Sequence, residues 1–85
     1  MPIDGVLDLH TFQPSDLPHL LTDYLEACRQ EGFLNIRVIH GKGRGILRRR
    51  VHKLLQKHPA VKSFKDASPE AGGWGATIVV LGPME

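Results

Sequence analysis

Two short stretches of the chain hold the side chains best suited to chemistry: "LDLH" at Leu7 to His10 and "IHGKGRGILR" at Ile39 to Arg48. Imidazole changes charge near neutral pH, so His10 and His40 are the candidate proton-transfer groups, one as base and the other as acid. Asp8 can orient an imidazole or stabilise its cation, and it is the candidate metal-ligating carboxylate. Two histidines and one aspartate leave a ligand set incomplete, so a divalent ion such as Mg²⁺ would be held partly by a phosphate. Gly41, Gly43 and Gly45 lack Cβ atoms. Their backbone can take positive φ and bring its N–H groups close to an oxyanion, with Lys42, Arg44 and Arg48 adding charge-assisted bonds.

Each feature has a plainer reading. The glycines match neither a Walker A loop nor the dinucleotide fingerprint, and a tight strand-to-helix turn would use them equally well. His10 and His40 could be hydrogen-bonded residues at a sheet edge. His19, His52 and His58 fall on helical segments as solvated or packed side chains, and Cys28 falls on an apolar stripe as a small core residue. Trp74 is expected to pack in the core or its loop, since no second aromatic builds a stacking platform beside it.

The elements that must position these groups follow from periodicity. "GVLDLH" alternates, with Leu7 and Leu9 on one side and Val6, Asp8 and His10 on the other, as in a short strand. Leu17, Leu20, Leu21, Tyr24, Leu25 and Cys28 recur at helical spacing up to Gly32, with Ser15 as the expected cap and Asp16 at the positive end of the dipole. "NIRVIH" is a β-branched strand leading into the glycines. Leu47, Val51, Leu54, Leu55 and His58 mark a second helix closed by Pro59, with Arg49, His52, Lys53 and Gln56 on its opposite side. "VKSFKDA" and "ATIVVL" are strands, the latter expected to be covered on both faces.

A strand–helix–strand unit crosses over right-handedly with its strands parallel. The carboxyl ends of those strands are Asp8 to His10 and Ile39 to Gly45. Ligands of open α/β sheets gather at such ends, so the two stretches should meet there. The element order is therefore strand, helix, strand, helix, strand, strand, in one α/β domain over residues 1–85.

The 85 residues suit a single small core, and 41% hydrophobic with 24% charged residues excludes a disordered chain. One cysteine permits no internal disulfide. No apolar run approaches the roughly 18 residues of a membrane span, and the start lacks a signal-peptide pattern, so a cytoplasmic protein without a membrane partner is expected. The net charge is only +2. Its distribution is uneven: Lys42, Arg44, Arg48, Arg49, Arg50, Lys53 and Lys57 crowd into one segment, whereas Asp4, Asp8, Asp16 and Asp23 lie near the start. One basic face results, with Arg49 and Lys53 able to follow a nucleic-acid backbone.

"LDLH", "IHGKGRGILR" and "GGWGATIVVL" (Gly72 to Leu81), in that order and separated by helices, resemble the Smr (small MutS-related) domain over nearly the whole chain. The resemblance implies a compact α/β domain, a β-α-β-α-β-β two-layer sandwich with a mixed four-stranded sheet and two helices, similar to the C-terminal domain of a bacterial translation initiation factor, and endonuclease activity on DNA or RNA. Carried over by position, the first motif's acid and histidine are Asp8 and His10. The second motif's residues are His40, Gly41, Lys42, Gly43 and later Arg48, and the third motif's small residues are Gly73, Gly75 and Thr77. The chain departs from the family pattern at Thr11, where Gly is frequent, and at Asp16-Leu17, where a Glu-Ala pair is frequent. A module that binds nucleic acid without cutting it is the alternative reading.

Overall fold

The computed structural model describes residues 3–41, 45–71 and 73–83. Six elements follow one another: β1 (Val6–Asp8), α1 (Leu17–Gln30), β2 (Asn35–Ile39), α2 (Ile46–Lys57), β3 (Val61–Asp66) and β4 (Ala76–Leu81). The strands form one sheet in the order β1-β2-β4-β3. β1 and β2 are parallel with Asp8 opposite Ile39, whereas β4 runs antiparallel to both β2 and β3. The element order is the one read from periodicity, and the mixed four-stranded α/β sheet is the one the resemblance implied.

Both helices pack on one sheet face. Leu17, Leu21, Tyr24, Leu25 and Cys28 of α1, with Val51 and Leu55 of α2, close over Leu7, Leu9, Ile36, Val38, Val79 and Leu81. Each large aliphatic side chain so buried stabilises the fold by about 1.5–3 kcal/mol before entropy is set against it. Tyr24 adds a polar tie: its hydroxyl donates to the Val6 carbonyl at 2.9 Å, holding α1 to the edge strand, and burial pushes its pKa up to about 12.

Three expectations are corrected. Ser15 does not cap α1. It lies in a 3-10 turn, Pro14–Asp16, while Asp16 occupies the cap position and its carboxylate accepts from the Gln13 N–H at 3.4 Å. β4 is not covered on both faces: Thr77, Val79 and Leu81 are buried against the helices, but Ile78 and Val80 on the other face are only half-buried because no layer lies there. His52 does not sit on the outer side of α2. It turns inward between Thr77 and Phe64, where its ring meets the phenyl edge-on at a centroid distance of 4.9 Å.

Candidate functional site

β1 delivers Asp8 to the uncovered sheet face because Leu7 and Leu9 on either side are drawn into the core. His10 follows on the same side. Its Nδ1–H donates to the Asp8 carboxylate at 2.7 Å, and its backbone N–H donates to the same oxygen at 3.0 Å. The ring bond, followed by the backbone bond, holds the Asp8 carboxyl below the usual carboxylate range. The His10 side chain is 74% exposed, and among the described residues no protein group bonds its Nε2. The arrangement is an oriented imidazole with one nitrogen open to solvent or ligand.

His40 leaves β2 toward the helices, after Ile36 and Val38, and is buried at 6% exposure. Both ring nitrogens are engaged within the protein: Nδ1 with the Gly41 carbonyl at 3.0 Å and Nε2 with Thr77 Oγ1 at 2.8 Å. His52 Nε2 reaches the same hydroxyl at 2.8 Å. Burial, the largest cause for each, pushes both imidazoles below the ordinary value, and the Arg48 cation adds to it.

The glycine segment leaves the sheet at Gly41 and enters α2 at Gly45. Both adopt φ of +78°, the left-handed conformation that favours residues without a Cβ. The Gly41 N–H donates to the Gly75 carbonyl at 2.8 Å, and the His40 N–H donates to the same carbonyl at 3.1 Å. Gly75, which is buried, and Gly73, with φ of +58°, thus belong to the turn that feeds β4 and braces the loop's entrance. Lys42, Gly43 and Arg44, and the side chain of Trp74, lie outside the described residues.

The basic residues divide. Arg48 makes a bidentate pair with Asp66 of β3, donating from Nε at 3.0 Å and from the terminal nitrogen at 2.8 Å. Arg49 and Lys53 stand exposed on the outer side of α2. A cleft of about 160 Å³ opens between this helix and the start of α1, with Leu17, Pro18 and Leu54 as its floor and Arg50, Lys53 and Lys57 around it. Among the described residues these three cations have no carboxylate partner within ion-pair distance. His19 is exposed and His58 is packed near Glu26.

Among the described residues no group of three or more His, Cys, Asp or Glu is placed to hold a metal ion. Asp8 contributes one carboxylate, already bonded to His10. No helix among them is long and apolar enough to cross a membrane.

The sheet register places Asp8 beside Ile39, so the ends carrying His10 and His40 are neighbours as expected, although the two rings point to opposite sides of the sheet. His52, Thr77 and Asp66 form a contact group that sequence reasoning did not assemble. Its signal was present: a lone polar Thr77 in the helix-facing series Thr77, Val79, Leu81, and His52 next to the core residue Val51.

Comparison with known proteins gives a consistent result. The Smr domain family matches residues 7–82. An Endonuclease MutS2 of Thermomicrobium roseum is 46% identical over 61 residues, covering 72% of this chain and 8% of that protein. One from Halothermothrix orenii is 37% identical over 79 residues, covering 93% of this chain and 10% of that protein. The chain thus spans a tenth or less of the length of these curated relatives. The crystal structure of the Smr domain of Thermus thermophilus MutS2 superposes with a TM-score of 0.88 at 35% identity, covering 94% of this chain and all of that one. YdaL, a stand-alone small MutS-related protein from Escherichia coli, superposes with a TM-score of 0.86 at 28% identity, covering 94% of this chain and 66% of that one.

Proposed function

The chain belongs to the Smr domain family, and from that premise and the site's geometry we propose that it cleaves phosphodiester bonds in nucleic acid. The observation that carries this reading is the exposed His10 imidazole, oriented by Asp8 and open at Nε2, at the strand end adjoining the one that leads into the glycine segment. The relatives called Endonuclease MutS2 supply the substrate class by analogy.

In this reading His10 Nε2 accepts the proton of the attacking oxygen, which belongs to water or, in RNA, to the neighbouring 2′-hydroxyl. That oxygen bonds to phosphorus as the P–O bond to the leaving oxygen breaks, solvent protonates the leaving oxygen, and the His10 imidazolium returns its proton to solvent. Asp8 holds the ring in the tautomer with Nδ1 protonated and stabilises the imidazolium that forms. Amides of the segment after Gly41, up to Gly45 at the start of α2, receive the phosphate and offset charge developing on it, with Lys42 and Arg44 as further cations, while the Gly41 N–H stays bonded to the Gly75 carbonyl. Arg49 and Lys53 hold backbone phosphates farther along the strand. Of the roles open to His40, the engagement of both its ring nitrogens supports positioning over proton transfer. Asp8 alone cannot house a divalent ion. Mg²⁺ would have to be held chiefly by the substrate's phosphate, with Asp8 as the protein carboxylate at hand, and would supply charge neutralisation there.

Binding without cleavage is the second reading, favoured by the row of cations around the α2 cleft, which needs no reacting group to hold a strand. Incubation with end-labelled DNA and RNA, single-stranded and duplex, with Mg²⁺ or with chelator, separates the two. Cleavage of any of these substrates that disappears in His10→Ala supports the enzyme; retained, salt-sensitive binding with no substrate cut supports the module.

A further inference from the structure

A backbone carbonyl can only accept a hydrogen bond, and that restriction sets the direction of every bond in the buried group around Thr77. The Gly41 carbonyl lies 3.0 Å from His40 Nδ1, so Nδ1 carries the proton and donates. In a neutral ring Nε2 is then an acceptor, and the group 2.8 Å from it is the Thr77 hydroxyl, which must donate. A hydroxyl has one proton. With that proton committed to His40, Thr77 Oγ1 can only accept from His52, whose Nε2, also at 2.8 Å, must be the protonated nitrogen. The chain runs one way, from His52 through Thr77 and His40 to the Gly41 carbonyl.

We propose that Thr77 and His52 are positioning residues for the glycine segment, acting through His40 to fix the direction of the Gly41 carbonyl. The proposal rests on the phosphodiesterase reading for what the segment binds, but not for the bonding itself. The Gly41 backbone is held at both ends: its N–H by the Gly75 carbonyl and its C=O by His40. Without the chain, only the N–H side of Gly41 would be held, and the left-handed Gly41, lacking a Cβ, could rotate its carbonyl away and change how the segment leaves the sheet.

The chain is also constrained at its far end. Arg48 of α2 and Asp66 of β3 are paired beside His52, with the Asp66 carboxylate 4.0 Å from His52 Nε2, and Phe64 of β3 packs against the ring. The charged and titratable groups facing the two imidazoles are therefore Arg48, Asp66 and each other. Burial and Arg48 favour two neutral rings and Asp66 opposes them, so acidification should disturb the one-way arrangement.

Ring and amide NMR test this without reliance on activity. Long-range ¹H–¹⁵N spectra of the wild-type protein at pH 7.5 should show His40 protonated on Nδ1 and His52 on Nε2, and Thr77→Ser should keep that pattern. Thr77→Val, which keeps the shape and removes the hydroxyl, should shift or broaden the Gly41 and Gly45 amide signals and lower kcat/KM for cleavage severalfold or more. A wild-type His40 protonated on Nε2 overturns the proposal. So does a folded Thr77→Val with Gly41 and Gly45 amides at their wild-type positions. Should Thr77→Val fail to fold, the wild-type and Thr77→Ser ring spectra still decide. Should no nucleic acid be cut, the function reading fails while the spectra still answer for the chain.

Discussion

His10 and His40 follow neighbouring strands, and the pleat sends them to opposite surroundings. Asp8 and Ile39 stand opposite each other, Leu9 donates to the Ile39 carbonyl, and His40 therefore shares the helix-facing side with Leu9. His10, one position beyond Leu9, returns to the open side. One imidazole is left with a free nitrogen in solvent, and the other has both nitrogens bonded inside the protein. Two histidines that look equivalent as motif residues are thus separated by a single step of strand parity into one suited to moving a proton and one suited to holding backbone.

The largest effect that could break this contrast comes from His10→Ala. On the proposed reading it removes the general base and should lower the cleavage rate by about 10²- to 10⁴-fold, whereas removal of a mostly exposed side chain should change stability by no more than about 0.5 kcal/mol. Calorimetry beside the rate measurement should show the melting temperature nearly unmoved.

Thr77→Val should behave in the reverse sense, acting first on stability. It strands a buried acceptor on His40 and a donor on His52, at about 1–3 kcal/mol. For a domain of this size each kcal/mol lowers the melting temperature by about 4–8 °C, and Thr77→Ser should recover most of the loss. Equal melting temperatures for the valine and serine variants would contradict the bonding described for Thr77.

Acid should also act on the two inward-facing imidazoles before the carboxylates. Folding holds the His40 and His52 pKa values below their ordinary value of 6.5, so the unfolded chain takes up protons that the folded one excludes. Stability is therefore greatest above that value and falls as pH drops below it. Asp8 and Asp66, whose pKa values are lowered by His10 and Arg48 respectively, stabilise the fold above the ordinary carboxylate value of 3.8 and lose that contribution at still lower pH. Denaturant titrations from pH 8 to pH 3 should show the first decline near 6.5, and Thr77→Val, already lacking the chain's centre, should show a shallower one.

The smallest effect belongs to the outer side of α2. Lys53→Ala should weaken binding of all nucleic acids alike and reduce the slope of log K against log salt by about 1, with melting temperature and cleavage of bound substrate close to wild type.

Much of this contrast could be read from the chain because alternation and helical spacing are driven by apolar burial. Leu7 and Leu9 fixed the side on which Asp8 emerges, and the leucine stripe of α1 fixed its packing face. Polar groups that go inward were less legible. His52 adjoins the core position Val51, but an imidazole beside arginines reads as surface until its partner is known, and that partner, Thr77, lies on another strand. β4 looked covered on both faces because Ile78 and Val80 are as apolar as Val79, and composition does not reveal that only one sheet face carries helices. The pairing of Arg48 with Asp66 was equally out of reach, because the two lie 18 positions apart on different elements.

The central claim, that the exposed imidazole of His10 moves the proton, is tested most directly by single-turnover cleavage of a labelled strand by His10→Ala, with saturating protein and with or without added imidazole. The exposed position predicts slow cleavage that rises with imidazole concentration, because a free base can reach the space the side chain vacates. Cleavage at the wild-type rate without imidazole would contradict the claim.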